Sequence, residues 1–417
     1  MRKHIIVLFL SLLCIGLLGD FSVVYATQTS EELSETSEMT NEDQTDVVTD
    51  GAMSNTEIGI QSPSVVLMEL NSGHIIYEKD GNTARKPASV TKLMTMLLSF
   101  EALESGRITW DQVVTVSEHA SSMGGSQVYL EPGEEQTIET LMKSMIVSSA
   151  NDAAVAMAEV VAGSETAFVQ LMNDKAKALG MNNTSFQNAC GLDAEGHVMS
   201  AKDIAILSRQ LLLEHPEVTD YTTIWMDTII HRTKKGESEF GLANTNKFLK
   251  KYDGANGLKT GYTSEAGFSM SATATRNGMT LIAVVMGSET KDIRYADATT
   301  LLDYGFANCY TYEDHKVLDG NNQFMIDHGE NANIKVKAKE EFSYVFVNTA
   351  QGVSVDKEIQ IVKNTAPVKE GEVVAKMNYF VNGERIGSVD ILAIESVEER
   401  KWKSTLMDLF YRFINIG

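Results

Sequence analysis

The chain has 417 residues, 43% hydrophobic and 22% charged, enough to bury one large core and a second, smaller one. Its formal net charge of -22 at pH 7 argues against a nucleic-acid partner, because phosphate binding needs clustered Lys and Arg. Acidity of this size reads as solubility and self-repulsion.

Arg2, Lys3 and His4 precede an apolar run from Ile5 to Leu18, and Val24-Tyr25-Ala26 has the form of a cleavage site. This predicts a signal peptide over residues 1–26 and an exported protein. The run is short for a transmembrane helix, and the bulky Leu13 before Cys14 disfavours a lipoprotein signal. Residues 27–57 are rich in Thr, Ser, Glu, Asp and Asn and predict a flexible acidic linker. After cleavage Cys190 and Cys309 remain, read as free thiols, with one bridge between them left open.

Order is expected from Ile58. Val65 to Glu69 and His74 to Glu78 flank Asn71-Ser72-Gly73 as a hairpin. Pro87 precedes a helical run from Val90 through Leu103. Further helices are predicted over Ile138 to Val147, Ala153 to Val161, Phe168 to Leu179 and Ala201 to Leu213. Strands return over Gly257 to Tyr262, Phe268 to Thr275 and Met279 to Met286, with a tight turn at Asn277-Gly278. Strands at both ends with helices between them predict an α+β catalytic domain over 58–309, one antiparallel sheet flanked by helices. From 310 to 394, short alternating stretches such as Ile334 to Val336, Tyr344 to Val347, Ile359 to Val362 and Val373 to Phe380 predict a small all-β domain. Residues 395–417 place Trp402, Leu406, Leu409, Phe410 and Phe413 on one helical face, with Arg400, Lys401, Lys403 and Arg412 supplying charge. That pattern predicts an amphipathic helix on a membrane surface.

The chemistry starts at Ser89-Val90-Thr91-Lys92. Ser and Lys three apart on a helix share a face, so Ser89 suits a nucleophile and Lys92 its general base, provided burial lowers the lysine pKa. The motif alone is unspecific, since Ser288-Glu289-Thr290-Lys291 and Ser354-Val355-Asp356-Lys357 match it too. Company discriminates: downstream of Ser89 stand the chain's one Ser-x-Asn, Ser149-Ala150-Asn151, and its one Lys-Thr-Gly, Lys259-Thr260-Gly261. Ser149 suits a proton relay and Asn151 a grip on a substrate amide. Lys259 suits a second cation that keeps Lys92 neutral, and Thr260 a hydroxyl for a substrate carboxylate. Gly261 allows close approach to the strand, and the backbone N–H groups of Ser89 and Tyr262 would form an oxyanion hole. No cofactor or metal is expected: the 8 His show no His-x-His or His-x-x-x-His spacing.

This ordered triple is the signature of penicillin-binding proteins and class A β-lactamases. The chain resembles the D-alanyl-D-alanine carboxypeptidases, low-molecular-mass penicillin-binding proteins of the peptidase S11 family. The likeness extends through Pro87 to Thr95, Asn151-Asp152-Ala153-Ala154, Gly191-Leu192-Asp193, Asn244-Thr245-Asn246 and Gly257 to Thr263. It implies a penicillin-binding/β-lactamase-like transpeptidase fold and removal of the terminal D-alanine from peptidoglycan stem peptides ending in D-Ala-D-Ala. An acyl-enzyme on Ser89, covalent inhibition by β-lactam antibiotics and a place at the outer face of the cytoplasmic membrane or cell wall are implied with it. The chain departs from the pattern at Ser288-Glu289, where many relatives place an arginine for the terminal carboxylate; either Thr260 and Lys259 suffice for it, or Lys291 or Arg294 takes that part. A class A-like β-lactamase and a non-catalytic wall or sporulation scaffold are the alternatives. The first needs a Glu-x-x-Leu-Asn segment that is missing between Asn151 and Lys259, and the second sits badly with an intact triple.

Overall fold

The computed structural model describes residues 57–318, 320, 322–347 and 352–401. The predicted signal peptide, nearly all of the acidic linker and residues 402–417 of the terminal helix lie outside them.

The described chain opens on a hairpin of β1 (Ser64–Glu69) and β2 (Ile75–Lys79). A 3-10 turn, Ala88–Thr91, then runs directly into α1 (Lys92–Glu104), so the α-helix begins at the lysine and not at Val90. The helical layer continues through α2 (Glu118–Ser121), α3 (Ile138–Val147), α4 (Asn151–Ala162), α5 (Glu165–Ala178), α6 (Ala201–Glu214) and α7 (Val218–Thr222). Within it lies a short antiparallel pair, β3 (Val113–Thr115) and β4 (Glu135–Thr137). A hairpin of β5 (Met226–Thr233) and β6 (Gly236–Ala243) follows. The meander β7 (Ala255–Thr263), β8 (Gly267–Arg276) and β9 (Met279–Ser288) then returns to β1. The result is a five-stranded antiparallel sheet in the order β2-β1-β9-β8-β7. Asn277 and Gly278, with φ of 50° and 81°, form the tight turn between β8 and β9.

The sheet is buried on both faces, which is why β1 reads as an unbroken apolar run. Val66 and Met68 point into the helical layer, while Val65 and Leu67 meet Leu301 and Leu302 of α8 (Lys291–Asn308) on the opposite face. α1 is the axis of the helical layer, with Leu93, Met94, Met96, Leu97 and Phe100 all buried.

From β10 (Cys309–Asp314) onward the chain is all β. β11 (Gln323–Met325), β12 (Asn333–Ala338), β13 (Phe342–Val347), β14 (Asp356–Ile361), β15 (Val373–Val381) and β16 (Glu384–Ala393) follow. β10 pairs with β13, and the others form a sheet in the order β11-β12-β16-β15-β14 around a separate core. One expectation is corrected here. The terminal helix predicted over 395–417 does not include residues 395–401, which are non-helical; Val397 is buried and bridges to Val368. Its apolar side chain completes the β core instead. Among the described residues Cys190 and Cys309 are free thiols.

Phe100 is 1% exposed and contacts Trp110, His215 and Tyr221. Phe100→Ala should lower unfolding stability by about 3–5 kcal/mol, measured by urea titration.

Candidate active site

Folding brings the three motifs to one cleft of about 440 Å³. Ser89 lies in the 3-10 turn before α1, Ser149 in the link from α3 to α4, and Thr260, Gly261 and Tyr262 on β7. These five line the cleft, whereas Lys92, Asn151 and Lys259 are buried behind it. The two lysines reach the cleft through hydroxyls: Lys92 Nζ donates to Ser89 Oγ at 3.1 Å, and Lys259 Nζ to Ser149 Oγ at 2.7 Å. Lys92 Nζ also donates to Asn151 Oδ1 and to the Cys190 carbonyl, each at 2.6 Å. Lys259 Nζ has a second acceptor in the Thr260 carbonyl at 2.9 Å.

Burial disfavours both ammonium groups. It lowers the Lys92 pKa to about 8, against a smaller opposing effect of Cys190 and Asp152. Lys259 falls well below its ordinary value, first by burial and then by the charges of Lys92 and Arg294. Burial thus disfavours the ammonium form of both lysines, and repulsion from neighbouring cations adds to it at Lys259.

Local structure explains how these side chains are held. Ala88 and Ser149 have φ of 49° and 60°, a left-handed conformation uncommon outside glycine. Each is locked by neighbours. A Cβ on Gly261 would stand 2.9 Å from the Pro87 carbonyl and 3.0 Å from Ser89 N, so the close approach that this glycine permits is that of the turn carrying Ser89. Asn151 is more engaged than a free substrate grip: besides Lys92, its Nδ2 holds the Gly124 carbonyl at 2.7 Å and its backbone N–H the Ser126 carbonyl at 2.7 Å. One amide hydrogen remains for a ligand. Asp152 is fully buried and accepts the N–H groups of Val128 and Leu130, tying that loop to α4.

The cleft lining carries four cations, Lys247, Lys251, Lys291 and Arg294, against one acid, Asp292. Arg294 is 5% exposed, lies 4.6 Å from the Tyr295 ring centre, and donates to the Gly261 and Ser269 carbonyls at 3.3 and 3.2 Å. Of the two cations considered in place of an arginine at Ser288-Glu289, both reach the cleft; Ser288 is buried elsewhere, against Ser62.

A family model described as D-alanyl-D-alanine carboxypeptidase matches residues 51–290, and one described as penicillin-binding protein 5, C-terminal domain, matches 312–399. The D-alanyl-D-alanine carboxypeptidase DacF of Bacillus subtilis is 40% identical over 347 residues, 82% of this chain and 87% of that one. The chain belongs to the peptidase S11 family of D-alanyl-D-alanine carboxypeptidases. Its fold agrees: penicillin binding protein 5 from Haemophilus influenzae matches with a TM-score of 0.72 at 30% identity, over 82% of this chain and 99% of that one. Penicillin-Binding Protein D2 from Listeria monocytogenes, solved in an ampicillin-bound form, matches with a TM-score of 0.51 at 32% identity, over 60% of this chain and 100% of that one.

Several residues of this carboxypeptidase site carry no motif of their own. Ser126, Lys247, Lys251, Phe268 and Tyr295 line the cleft. Thr245 also lines it and receives Thr260 Oγ1 at 3.3 Å, while its neighbours Asn244 and Asn246 are buried struts. Asn244 Nδ2 holds the Thr222 and Ile224 carbonyls, and Asn246 Nδ2 the Gly257 carbonyl. The Asn-Thr-Asn spelling was the available signal for Thr245. The others are ordinary surface or core types.

The Lys92 pKa has a consequence for stability. Between about pH 8 and its ordinary 10.5 the unfolded chain holds a proton on Lys92 that the folded chain has released, so rising pH favours the folded state across that window. Thermal unfolding of wild type and Lys92→Met should therefore diverge in favour of wild type as pH climbs from 8 to 10.

Proposed function

We propose that this carboxypeptidase is exported, held at the outer face of the membrane, and cleaves the terminal D-alanine through an acyl-enzyme on Ser89. The carrying observation is the setting of Lys92 Nζ. Charged, Lys92 spends its three N–H bonds on Ser89 Oγ, Asn151 Oδ1 and the Cys190 carbonyl; once it loses a proton, Asn151 and Cys190 can keep the remaining two and the lone pair is left facing the Ser89 hydroxyl. Lys92 then accepts the Ser89 proton as Oγ attacks the carbonyl carbon of the penultimate D-alanine. The N–H groups of Ser89 and Tyr262 receive the oxyanion. As the C–N bond breaks, the proton that Lys92 took from Ser89 passes to the departing amine with the Ser149 hydroxyl as relay, which leaves Lys92 neutral again. Water then gives a proton to Lys92 as it attacks the ester, and that proton returns to Ser89 Oγ as the ester is cleaved.

The substrate's terminal carboxylate completes the electrostatics. Seated near Thr260 and Arg294, it places an anion beside Lys259, which favours that lysine's charged form; the restored cation in turn disfavours charge on Lys92. The base is thus released as substrate arrives. A β-lactam would acylate Ser89 by the same route, a reading supported by the ampicillin-bound Listeria relative.

Incubation with a D-Ala-D-Ala pentapeptide, with and without penicillin, tests this by mass spectrometry. The expected result is release of D-alanine and a penicillin adduct on Ser89, absent in Ser89→Ala. Sustained turnover of nitrocefin would instead favour a β-lactamase. Lys92→Ala should slow acylation by about 10²- to 10⁴-fold with the fold intact. In wild type, kcat/KM should rise with pH through about 8, the value of free Lys92, and level off above it. A flat profile across that range would remove Lys92 as the base.

The apolar start supports export, and the pattern of Trp402, Leu406, Leu409, Phe410 and Phe413 with Lys403 and Arg412 supports an interfacial anchor. Removing residues 402–417 should release the enzyme from membrane pellets while activity on a soluble peptide persists. Continued pelleting of the truncated chain would rule the anchor out.

A further inference from the structure

The peptide unit joining Ala88 to Ser89 carries two groups that point in opposite directions, because the amide is planar and trans. Its carbonyl, on Ala88, accepts from Thr91 Oγ1 at 2.8 Å. Its N–H, on Ser89, is therefore turned the other way, toward the side where Gly261 comes close.

The Thr91 hydroxyl is itself held from behind. Its proton is committed to the Ala88 carbonyl, so Oγ1 can only accept from its second partner, His197 Nε2, at 2.8 Å. His197 Nδ1 is 2.9 Å from the backbone N–H of Gln187, which can only donate. Nδ1 is thus bare, Nε2 carries the ring proton, and every donor and acceptor from Gln187 to Ala88 is assigned. Both side chains are sealed from water, His197 at 2% exposure and Thr91 at 0%, and neither lines the cleft. Burial lowers the His197 pKa to about 4, with a smaller contribution from Lys86, which preserves the single-proton ring at neutral pH. Gly191 closes the remaining side of the same carbonyl: a Cβ there would stand 1.9 Å from the Ala88 oxygen.

We propose that Thr91 and His197 are positioning residues that aim the Ser89 N–H at the oxyanion by holding the far end of its peptide plane. They also keep Ala88 in the left-handed conformation that such an orientation requires. The inference rests on the reading of Ser89 as nucleophile and oxyanion donor, and it gives the buried His197 a part in the rate of chemistry rather than in substrate binding.

The test uses the full chain with Thr91→Val, Thr91→Ser, His197→Phe, His197→Gln and the double variant Thr91→Val/His197→Phe. Active sites are counted by penicillin titration, so kcat refers to folded enzyme. Thr91→Val and His197→Phe should each lower kcat by about 10- to 100-fold, with KM nearly unchanged. Thr91→Ser keeps the hydroxyl and His197→Gln keeps a donor for it; both should retain kcat to within a few fold. The double variant should be no worse than the poorer single one, because both act through one carbonyl. A role in packing alone would lower melting temperature and the active fraction but leave kcat per titrated site unchanged, and that outcome overturns the proposal, as would fully additive losses. Penicillin bound to a residue other than Ser89 in wild type would instead overturn the reading of the site on which the inference stands.

Discussion

Two lysines cannot be taken out of water within one site unless their hydrogen bonds are met and their charge is reduced. Lys92 is 0% exposed and Lys259 1%, and the architecture around them is organised by that constraint. Asn151 begins α4, so its side chain projects from a helix end to meet Lys92. The Cys190 carbonyl is presented by a loop whose successive N–H groups, from Cys190 to Leu192, are gathered on Asn188 Oδ1. Ser149 takes a left-handed conformation where α3 hands over to α4, and there its hydroxyl meets Lys259. Replacing any one of these acceptors leaves a buried amine short of a partner. That is why the three motifs form one unit although they lie far apart in the chain.

Backbone proximity does the rest. The turn carrying Ser89 is pressed between β7, where Gly261 leaves room for Pro87 and Ser89, and the loop at Gly191, which abuts the Ala88 carbonyl. A side chain at either glycine would displace the turn that carries Ser89. The unusual torsions at Ala88 and Ser149 persist because the surrounding core over-determines them, as strain at functional sites commonly requires.

The parts legible in the sequence are those in which local pattern and tertiary role coincide. β1, the meander β7 to β9 and the main helices of the helical layer carry clear apolar periodicity, and Asn277-Gly278 spells its own turn. Asn382-Gly383 spells the same turn, with φ of 51° and 84°, and joins β15 to β16. The β5–β6 hairpin was invisible for a physical reason: most of it faces solvent, so Lys235, Glu237 and Glu239 erase the alternation that a half-buried strand displays. α8 hides its period by burying Arg294 and Asp297 beside Leu301 and Leu302. Motif residues of the site could be named from their order, but cleft-lining Lys247, Lys251 and Tyr295 could not, since only the fold brings their elements to the end of β7.

The electrostatic layout follows a consistent logic. The full chain carries a formal charge of -22, yet Lys247, Lys251, Lys291 and Arg294 line the cleft against a single acid, Asp292. A local reversal of sign against an acidic background focuses attraction for anions on the cleft. Hydroxyls of Ser89, Ser149 and Thr260 line the cleft, while the buried amines stand one hydrogen bond behind them. An anion entering the cleft therefore meets both neutral hydroxyls and cationic side chains. Had the amines faced the cleft directly, water would have solvated them and held the Lys92 pKa near its ordinary 10.5 instead of about 8. Placing them behind hydroxyls keeps both amines from bulk water while leaving each one hydrogen bond from the cleft.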